Sequence, residues 1–511
     1  MQPRTLGWPD YVALVLYFAA NLVIGLRCAR RKQSTDDYFR GGGRVPWWAS
    51  GVSFFATSTS SISFMALPAR AFMSNWVTFG TAFAQTAGTL GLAFVFVGLL
   101  RRLNMTTVFE YLELRFGRSV RQVGGVLAML LAVFGRVSVV MLLPSLALSA
   151  VTGLNVYASI LVMGIVTTIY AMEGGFEAVI WTDVMQVVVT FSCVALAIVF
   201  IAKGVPHGFA GIIADGTAAG KFHLADHALN FNRPTTIVFV GMGLGSLFTQ
   251  LADQALMQRV FSTPDVRSAR RTILLGAAMG LPSSVVFFFV GTALYVFYQY
   301  HPGRIPASLP NDSIFPYFIA NELPTGIVGL VVAAVFAAAM GTISSCINSV
   351  ATIVLRDFVR PVRPDLGEQA SVRLARWVTL VAGTLGTLMA LYIASLNVSS
   401  LWDEFVKLLA LIGGGFPGVF ALGLLSRRAN APGVLVGAFA SIVITWWVQT
   451  FTTVNVFLHS FIAIGSCMVI GYLASLVLSR RSPSRPLAGL TVWTPHATGK
   501  VRPTPQIIPL S

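Results

Sequence analysis

Apolar stretches of about 20 residues recur along the whole chain and are separated by short polar connections, a length that lets an α-helix cross a bilayer core of roughly 30 Å. Of the 511 residues, 55% are hydrophobic and 11% are charged. A soluble globular protein carries roughly 25% charged residues. The chain is therefore predicted to form one continuous all-α polytopic membrane domain rather than several soluble domains.

We predict thirteen membrane-spanning helices from these stretches. They lie near 9–27, 46–69, 75–100, 122–151, 155–172, 178–203, 235–258, 272–299, 323–355, 375–396, 402–426, 431–451 and 455–478. Most of the 35 lysines and arginines fall in alternate connections, beginning with the one after the first span. Because such charges are retained on the cytoplasmic side, an outward N-terminus and a cytoplasmic C-terminus are predicted.

Charge, cysteine content and motifs argue against several functions. The formal net charge of +16 lies mainly in short loops between spans, so it indicates orientation rather than a nucleic-acid partner. The four cysteines are scattered and predict no disulfide framework. We find no GxxxxGKS or GxxxxGKT sequence for ATP binding, and no Ser/His or paired-Asp arrangement within the spans that would suggest an enzyme. No cleavable signal peptide is expected, and the tail after Arg481 is expected to be disordered.

The second predicted span contains a run of hydroxyl residues from Thr57 to Ser61, with Ser63 beyond it. No single helix face can turn all of these side chains away from lipid. Together with Pro68 they predict a discontinuous helix whose freed carbonyls coordinate a cation. A small-residue packing face is the alternative that this run leaves open.

A small polar face on the ninth predicted span is a suitable partner for that break. Its members follow helical spacing: Ala338, Gly341, Thr342, Ser345 and Ser349. Hydroxyl and carbonyl oxygens suit sodium, which needs several oxygen ligands but little formal charge. Helix packing is again the alternative.

Arg136 lies about 14 residues into the fourth predicted span, roughly 20 Å deep. A guanidinium at that depth needs an anionic partner. The partner is either a protein carboxylate, such as Asp253, Asp403 or Glu404, or the carboxylate of a substrate.

Other charged residues near the spans have more than one interpretation. Asp183 begins the sixth predicted span and is either a helix-terminus acid or a cation ligand. Asp253 ends the seventh and is expected to belong to a structural network or gate. Asp403 and Lys407 are spaced for an ion pair. No histidine lies in the middle of a predicted span, which favours sodium over protons, although Asp183 leaves proton coupling open.

Four segments, in family order, resemble signatures of the sodium/solute symporter family. They are 36–44, 174–186, the pairs Asp253-Gln254 and Gln258-Arg259, and the stretch from Ala337 to Asp357. The resemblance covers about 10 to 478 and is greatest to the bacterial sodium/sialic acid symporters, especially across 36–72 and 101–114.

This resemblance implies the leucine-transporter-type fold, in which two inverted repeats of five helices alternate access to a central site. It implies a bacterial inner-membrane location. The implied divisions are a first span with a cytoplasmic loop, a first repeat, a periplasmic loop, a second repeat, two C-terminal spans and a cytoplasmic tail: 1–45, 46–203, 204–234, 235–426, 427–480 and 481–511.

The resemblance also implies the site residues. A first sodium site would use three backbone carbonyls and two side-chain positions: Ala56, Thr59, Ala338, Gly341 and Thr342. Gly341 replaces a serine common in the family, so one ligand is missing there unless water replaces it. A possible second sodium site would use Asp183, Ser344 and Ser345.

The implied substrate pocket would include three serines and the deep arginine, which would hold a carboxylate: Ser58, Ser60, Ser63 and Arg136. A pocket glutamine of the sialic acid symporters corresponds to Ala82 here, with Gln85 nearby, which leaves the exact sugar acid open.

The chain is thus predicted to be a sodium-coupled symporter that imports a small carboxylated solute, with sialic acid or a related acidic sugar preferred. The alternatives are a sodium symporter for a neutral sugar, amino acid or vitamin, and a sensor or channel derived from the fold. The predicted partners are the solute, sodium and the lipid bilayer, with no nucleic acid and no required oligomer.

Overall fold

The structure is a computed structural model that describes residues 6–29, 34–306, 309, 311–396, 413–478 and 487–494. Every regular element in these ranges is a helix, as predicted. The helices are α1 (Trp8–Ala29), α2 (Thr35–Arg40), α3 (Trp47–Ser58), α4 (Ser61–Met73), α5 (Gly80–Gly91), α6 (Val97–Arg102), α7 (Phe109–Arg115), α8 (Arg118–Leu130), α9 (Ser138–Thr152), α10 (Val156–Lys203), α11 (Phe209–Ala218), α12 (Thr236–Ala252), α13 (Gln254–Phe261), α14 (Val266–Tyr300), α15 (Ile314–Glu322), α16 (Ile327–Ile353), α17 (Glu368–Ser395), α18 (Pro417–Leu425), α19 (Ala431–Phe451) and α20 (His459–Val477).

Short segments of other helix types join or extend these elements. Three are π-helical: Leu92–Phe96 between α5 and α6, Leu131–Val137 between α8 and α9, and Val354–Val359 after α16. Four are 3₁₀-helical: Gly41–Gly43, Trp76–Phe79, Asn311–Ser313 and Val456–Leu458.

Nine helical stretches in the described ranges are long and apolar enough to span a membrane, or ten if the bent pair α12 and α13 is one span. This number is below the predicted thirteen. The second predicted span is split into the short helices α3 and α4, and the fifth and sixth form the single helix α10 of 48 residues. Much of the eleventh, including Asp403, Glu404 and Lys407, lies outside the described residues.

The predicted discontinuity in the second span is confirmed. Helix α3 ends at Ser58 and α4 begins at Ser61. Between them Thr59 (φ −108°, ψ 111°) and Ser60 (φ −101°, ψ 171°) are extended. The Ser58 hydroxyl donates to the Phe55 carbonyl at 2.8 Å, so a side chain satisfies backbone at the end of the helix.

A second break, which the sequence did not predict, separates α12 from α13 by a bend of 66°. Asp253 stands at this break with an extended backbone (φ −82°, ψ 105°). Its Oδ1 accepts the Leu256 amide proton at 3.2 Å and caps α13. The same residue can therefore cap a helix with one carboxylate oxygen and pair with a cation through the other.

Helix α16 lies at the centre of the bundle and is buried along nearly its whole length. Asp10 of α1, which is 1% exposed, accepts the amide protons of Gly326 and Gly329, both at 2.7 Å. A carboxylate there satisfies N–H groups at the start of α16 and complements the helix dipole. A Cβ on Gly329 would lie 2.3 Å from the Asp10 Cα, so glycine permits this close approach.

At the opposite end of α16 a buried ionic network joins three elements. Arg121 of α8 pairs with Asp357 at 2.5 Å and also with Glu113 of α7. Thr107 donates to the same Asp357 oxygen at 2.7 Å. These contacts connect α7 and the segment before it to the π-helical end of α16.

Residues 487–494 pack against the helix ends instead of being disordered, which corrects the prediction for this part of the tail. Leu490 is buried, and its carbonyl accepts the Tyr111 hydroxyl proton at 2.9 Å. The Trp493 indole N–H donates to the Leu425 carbonyl at 2.6 Å. The segment is apolar enough to cover the end of α18.

Candidate functional site

The α3–α4 break faces α16 across a cavity of about 20 Å³. Its lining includes four of the five residues predicted for the first sodium site: Ala56, Thr59, Ala338 and Gly341. A cavity that holds a single water needs roughly 10–15 Å³, so this one has the size of one ion or water. The fifth residue, Thr342, is fully buried, and its hydroxyl has no hydrogen-bond partner among the described residues.

Gly341 has no side chain, and two side-chain oxygens, from Gln186 and Asp183, lie close to the position that a Cβ would occupy. An added Cβ would lie 2.8 Å from Gln186 Oε1 and 3.0 Å from Asp183 Oδ1. Both oxygens are buried and lack a hydrogen-bond donor within the described part of the chain. Uncoordinated buried acceptors around an ion-sized cavity are the arrangement expected where a cation binds. Sequence reasoning missed Gln186, although it lies inside the 174–186 signature.

The residues predicted for the second sodium site surround an arginine. Asp183 Oδ2 accepts from Ser53 Oγ at 2.5 Å and from Arg259 Nη2 at 3.1 Å. Arg259 Nη2 also donates to Ser345 Oγ at 2.5 Å. The guanidinium therefore bridges Asp183 and Ser345, two of the three predicted ligands.

The third predicted ligand of that site, Ser344, precedes Ser345 on α16 and shares a backbone acceptor with it. Its hydroxyl donates to the Gly341 carbonyl at 3.1 Å, and Ser345 donates to that carbonyl at 2.6 Å. Both serines thus stabilise the helix backbone where Gly341 has no side chain.

Of the two interpretations of Asp183, the structure excludes the helix-terminus acid. Asp183 is 0% exposed and lies within α10, beyond the break at Gly175 (φ 55°, ψ −152°). Arg259, which directly follows the seventh predicted span near 235–258, is also fully buried. The Gln258-Arg259 pair is one of the family signatures, which marked Arg259 as a residue of interest. The signature does not show that Asp183 is its partner.

A larger cavity of about 300 Å³ lies on another side of the break. It brings together four residues predicted for the substrate pocket: Ser58, Ser63, Ala82 and Arg136. Ser60 does not line this cavity and instead lines a neighbouring one of about 520 Å³, which Ser58 and Arg136 share. The predicted set is therefore divided between two adjoining cavities.

Arg136 lies in the π-helical segment Leu131–Val137, a type of irregularity frequent at functional sites. Its Nη1 donates to Asp253 Oδ2 at 2.7 Å, and its Nη2 donates to the Thr57 carbonyl at 2.9 Å. Of the protein carboxylates that the sequence offered, Asp253 is thus the one that pairs with Arg136 in the structure. Because Arg136 also faces both cavities, it remains accessible to a second carboxylate.

Two glutamines that were not assigned by sequence add amide groups to the 300 Å³ cavity. Gln85 lies about one turn beyond Ala82 on α5 and lines the cavity with it. Gln250 also lines it and accepts the Thr89 hydroxyl proton at 2.9 Å. The cavity therefore combines one guanidinium, several hydroxyls and two amides, which can bind a carboxylate and the hydroxyl groups of a polar solute.

Comparisons with known sequences identify related sodium-coupled transporters. The model of the family described as sodium:solute symporter family matches residues 38–441. The sodium/sialic acid symporter NanT of Aliivibrio fischeri is 35% identical over 478 residues, which cover 93% of this chain and 94% of that protein. The sodium/sialic acid symporter SiaT of Proteus mirabilis is 34% identical over 475 residues, which cover 92% and 95%. The sodium-dependent multivitamin transporter of Oryctolagus cuniculus is 30% identical over 458 residues, covering 87% and 70%.

Solved structures show the same fold. A substrate-bound, outward-open structure of a Na⁺-coupled sialic acid symporter matches with a TM-score of 0.86 and 33% identity, covering 92% of this chain and 98% of that one. The nucleobase-cation symporter Mhp1 in a closed conformation matches with a TM-score of 0.59 and 13% identity, covering 87% and 95%, which shows a shared fold alone. The prediction of an all-helical, multi-pass membrane transporter is confirmed. This chain belongs to the sodium:solute symporter family.

Proposed function

We propose that this sodium-coupled symporter imports sialic acid or a closely related acidic sugar. The observation that carries the proposal is that the Arg136 side chain lines the same 300 Å³ cavity as Ser58 and Ser63. A cavity of roughly 300 Å³ or more is the usual size for a small-molecule site. The names of the relatives from Aliivibrio fischeri and Proteus mirabilis support the same substrate.

A substrate carboxylate would bind Arg136 in competition with Asp253. The guanidinium has five N–H donors, and a planar carboxylate can accept two of them side by side. The Arg136 and Asp253 side chains are 33% and 22% exposed, so water reaches both partners and another carboxylate can replace Asp253 on the guanidinium. The serine hydroxyls and the Gln85 amide would bind the sugar hydroxyls.

Sodium would bind in the 20 Å³ cavity through Ala56, Thr59, Ala338 and Thr342. Ala56 and Thr59 flank Ser58, which lines the substrate cavity, so both ligands depend on the same broken backbone. An ion that fixes this conformation would raise substrate affinity, and substrate would raise ion affinity by the same factor. The Arg259 guanidinium between Asp183 and Ser345 favours one coupling sodium over two.

We propose the two inverted repeats, 46–203 and 235–426, with thirteen spans in total. Each repeat would begin with a broken helix, α3–α4 or α12–α13, and paired interruptions of this kind support the assignment. Helix α10 would extend roughly 70 Å against a bilayer core of roughly 30 Å, so the break at Gly175 would divide it into two spans. The positive connections support a bacterial inner-membrane location with the N-terminus outside and the C-terminus inside.

Uptake by proteoliposomes tests the substrate. Labelled sialic acid should accumulate when sodium is placed outside, and Arg136→Ala should abolish accumulation. Arg304→Ala is the matched control, because the Arg304 side chain is 56% exposed and pairs at 2.8 Å with Glu322 at the end of α15, away from both cavities. Normal uptake by folded Arg136→Ala would refute the carboxylate role, and flux without accumulation would indicate a channel.

The internal Arg136–Asp253 pair supports a second candidate function, which is sodium symport of a neutral sugar, amino acid or vitamin. In that case Arg136 would have a structural role only. Unlabelled neutral solutes would then compete with labelled sialic acid at least as well as unlabelled sialic acid does.

A further inference from the structure

An open groove of about 730 Å³ lies at the end of the bundle where helices α18 and α20 finish. The two helices and the packed segment 487–494 contribute its walls, and the adjacent arginines Arg427 and Arg428 line it as well. We propose that this groove binds one anionic phospholipid, with the phosphate on the arginines and an acyl chain along α20. This inference goes beyond the proposed transport function and does not depend on the identity of the solute.

The wall on α20 is an apolar stripe that faces out of the protein. Val469 and Leu473 lie one turn apart, line the groove and are exposed. Met468 and Tyr472, which are also one turn apart, lie half-buried beside them. Helix α20 belongs to a stretch that is long and apolar enough to span a membrane. The stripe is therefore suited to contact with an acyl chain near one end of a membrane-spanning helix.

The two arginines supply positive charge to the same groove. Both are exposed, and no carboxylate lines the groove among the residues that the structure describes. Arg427 Nη2 donates one hydrogen bond, to the Trp493 carbonyl at 2.7 Å. Within the described part of the chain, the Arg428 guanidinium makes no hydrogen bond or ion pair. Since each guanidinium has five N–H donors, most donors of the pair are available to the oxygens of a phosphate.

Trp493 adds a side chain of the kind that favours a membrane surface. Its indole N–H donates to the Leu425 carbonyl at 2.6 Å, while the residue stays exposed and lines the groove. Tryptophan is enriched where membrane meets water because its ring is apolar and its N–H is polar. The segment 487–494 is thus held where it forms one wall of a lipid site.

Charge favours a lipid over another part of this protein as the occupant. The tail after Leu478 contains five basic residues and no acidic residue, so it would add positive charge to the groove. A second copy packed through the same face in a symmetric dimer would bring two more arginines. An anionic phospholipid supplies the negative charge and the apolar chain together, and basic pockets between membrane helices bind such headgroups.

The test is the melting temperature of the purified full-length protein in a neutral detergent, titrated with dioctanoyl-phosphatidylglycerol. The native protein should show a saturable rise. Dioctanoyl-phosphatidylcholine, which has no net charge, should need at least fivefold higher concentrations, and glycerol phosphate, which has the anion without the chains, should have no effect. Native mass spectrometry of the same samples counts phospholipid retained through purification, so a site already filled shows as one bound lipid.

Two variants test the arginine and the apolar wall separately. Arg428→Gln should raise the half-saturating concentration of dioctanoyl-phosphatidylglycerol about fivefold, as expected for the loss of one basic residue at an anionic lipid. Leu473→Glu places a carboxylate on the apolar wall and should abolish the saturable rise and the retained lipid. Arg363→Gln is the matched control, because Arg363 is also exposed and does not line the groove. Melting temperatures measured without lipid show whether each variant is folded.

Three results would overturn the assignment. An equal response to both phospholipids would remove the role of the arginines, and an equal response to glycerol phosphate would mean that the groove binds a free anion. An unchanged titration in both Arg428→Gln and Leu473→Glu would place the lipid elsewhere. Neither a rise nor a retained lipid on the native protein would mean that the groove holds no phospholipid. Because sodium and solute are absent from these titrations, their outcome is independent of the proposed transport.

Discussion

Replacing Asp253 with asparagine should tighten binding of the acidic substrate. Asp253 uses Oδ2 to pair with Arg136 at 2.7 Å and Oδ1 to cap α13 at Leu256. Asparagine retains an oxygen that caps a helix nearly as well, but it has no charge to offer the guanidinium. The change therefore removes the competitor for Arg136 and keeps the local helix start.

The magnitude follows from how buried the pair is. Exposed ion pairs contribute about 0–1 kcal/mol, whereas breaking a fully buried pair costs about 3–5 kcal/mol. Arg136 and Asp253 are 33% and 22% exposed, so an intermediate value of about 1–2 kcal/mol is appropriate. Relief from this competition should lower the substrate Kd by about 5–30-fold.

The assay is isothermal titration of purified protein with sialic acid at saturating sodium. Glu322→Gln, which breaks the exposed pair with Arg304, should leave the Kd unchanged. Binding of a neutral analogue that lacks the carboxylate should not tighten in Asp253→Asn. If Asp253→Asn weakens sialic acid binding as severely as Arg136→Ala does, Asp253 holds the arginine in place for substrate and the competition argument is wrong.

Three further outcomes are expected. Thr342→Ala should raise the sodium concentration for half-maximal uptake about tenfold, as expected for about 1.4 kcal/mol of lost binding, and Thr342→Ser should restore it; initial uptake rates measure both. Asp183→Asn leaves the buried Arg259 without its counter-charge at a cost of about 3–5 kcal/mol, so thermal unfolding without sodium should begin at a lower temperature, and adding Arg259→Met should recover part of the loss. Leu490→Asp should lose about 2 kcal/mol of apolar burial and speed hydrogen exchange of 487–494.

Features that depend on neighbouring residues could be predicted from the sequence. The apolar stretches imply a helical membrane protein because a lipid-exposed backbone has to satisfy its own hydrogen bonds. The hydroxyl run implies a broken helix because its side chains compete for the local backbone, and the break falls at Thr59 and Ser60 as expected. The family signatures could also be recognised because each one is a short run of residues that are neighbours in the sequence.

Features that depend on contacts between distant helices could not be predicted in this way. The depth of Arg136 required a counter-charge, but the pattern allowed Asp253, Asp403 or Glu404. The pair with Asp253 joins residues 117 positions apart. The pattern likewise ended the seventh span at 258, just before Arg259, because nothing nearby shows that α12 and α13 are bent by 66° at Asp253 and that Arg259 is buried.

The sequence by itself thus determined an all-helical transporter and the position of its broken second span, and it predicted the residue types of a sodium and carboxylate site. The tertiary structure alone decided that Arg259 stands between Asp183 and Ser345, and that Gln186 faces the gap at Gly341. Helical periodicity shows which side chains share one face of one helix, but not which helix lies opposite. A cation site assembled from several helices is therefore visible only when those helices are packed together.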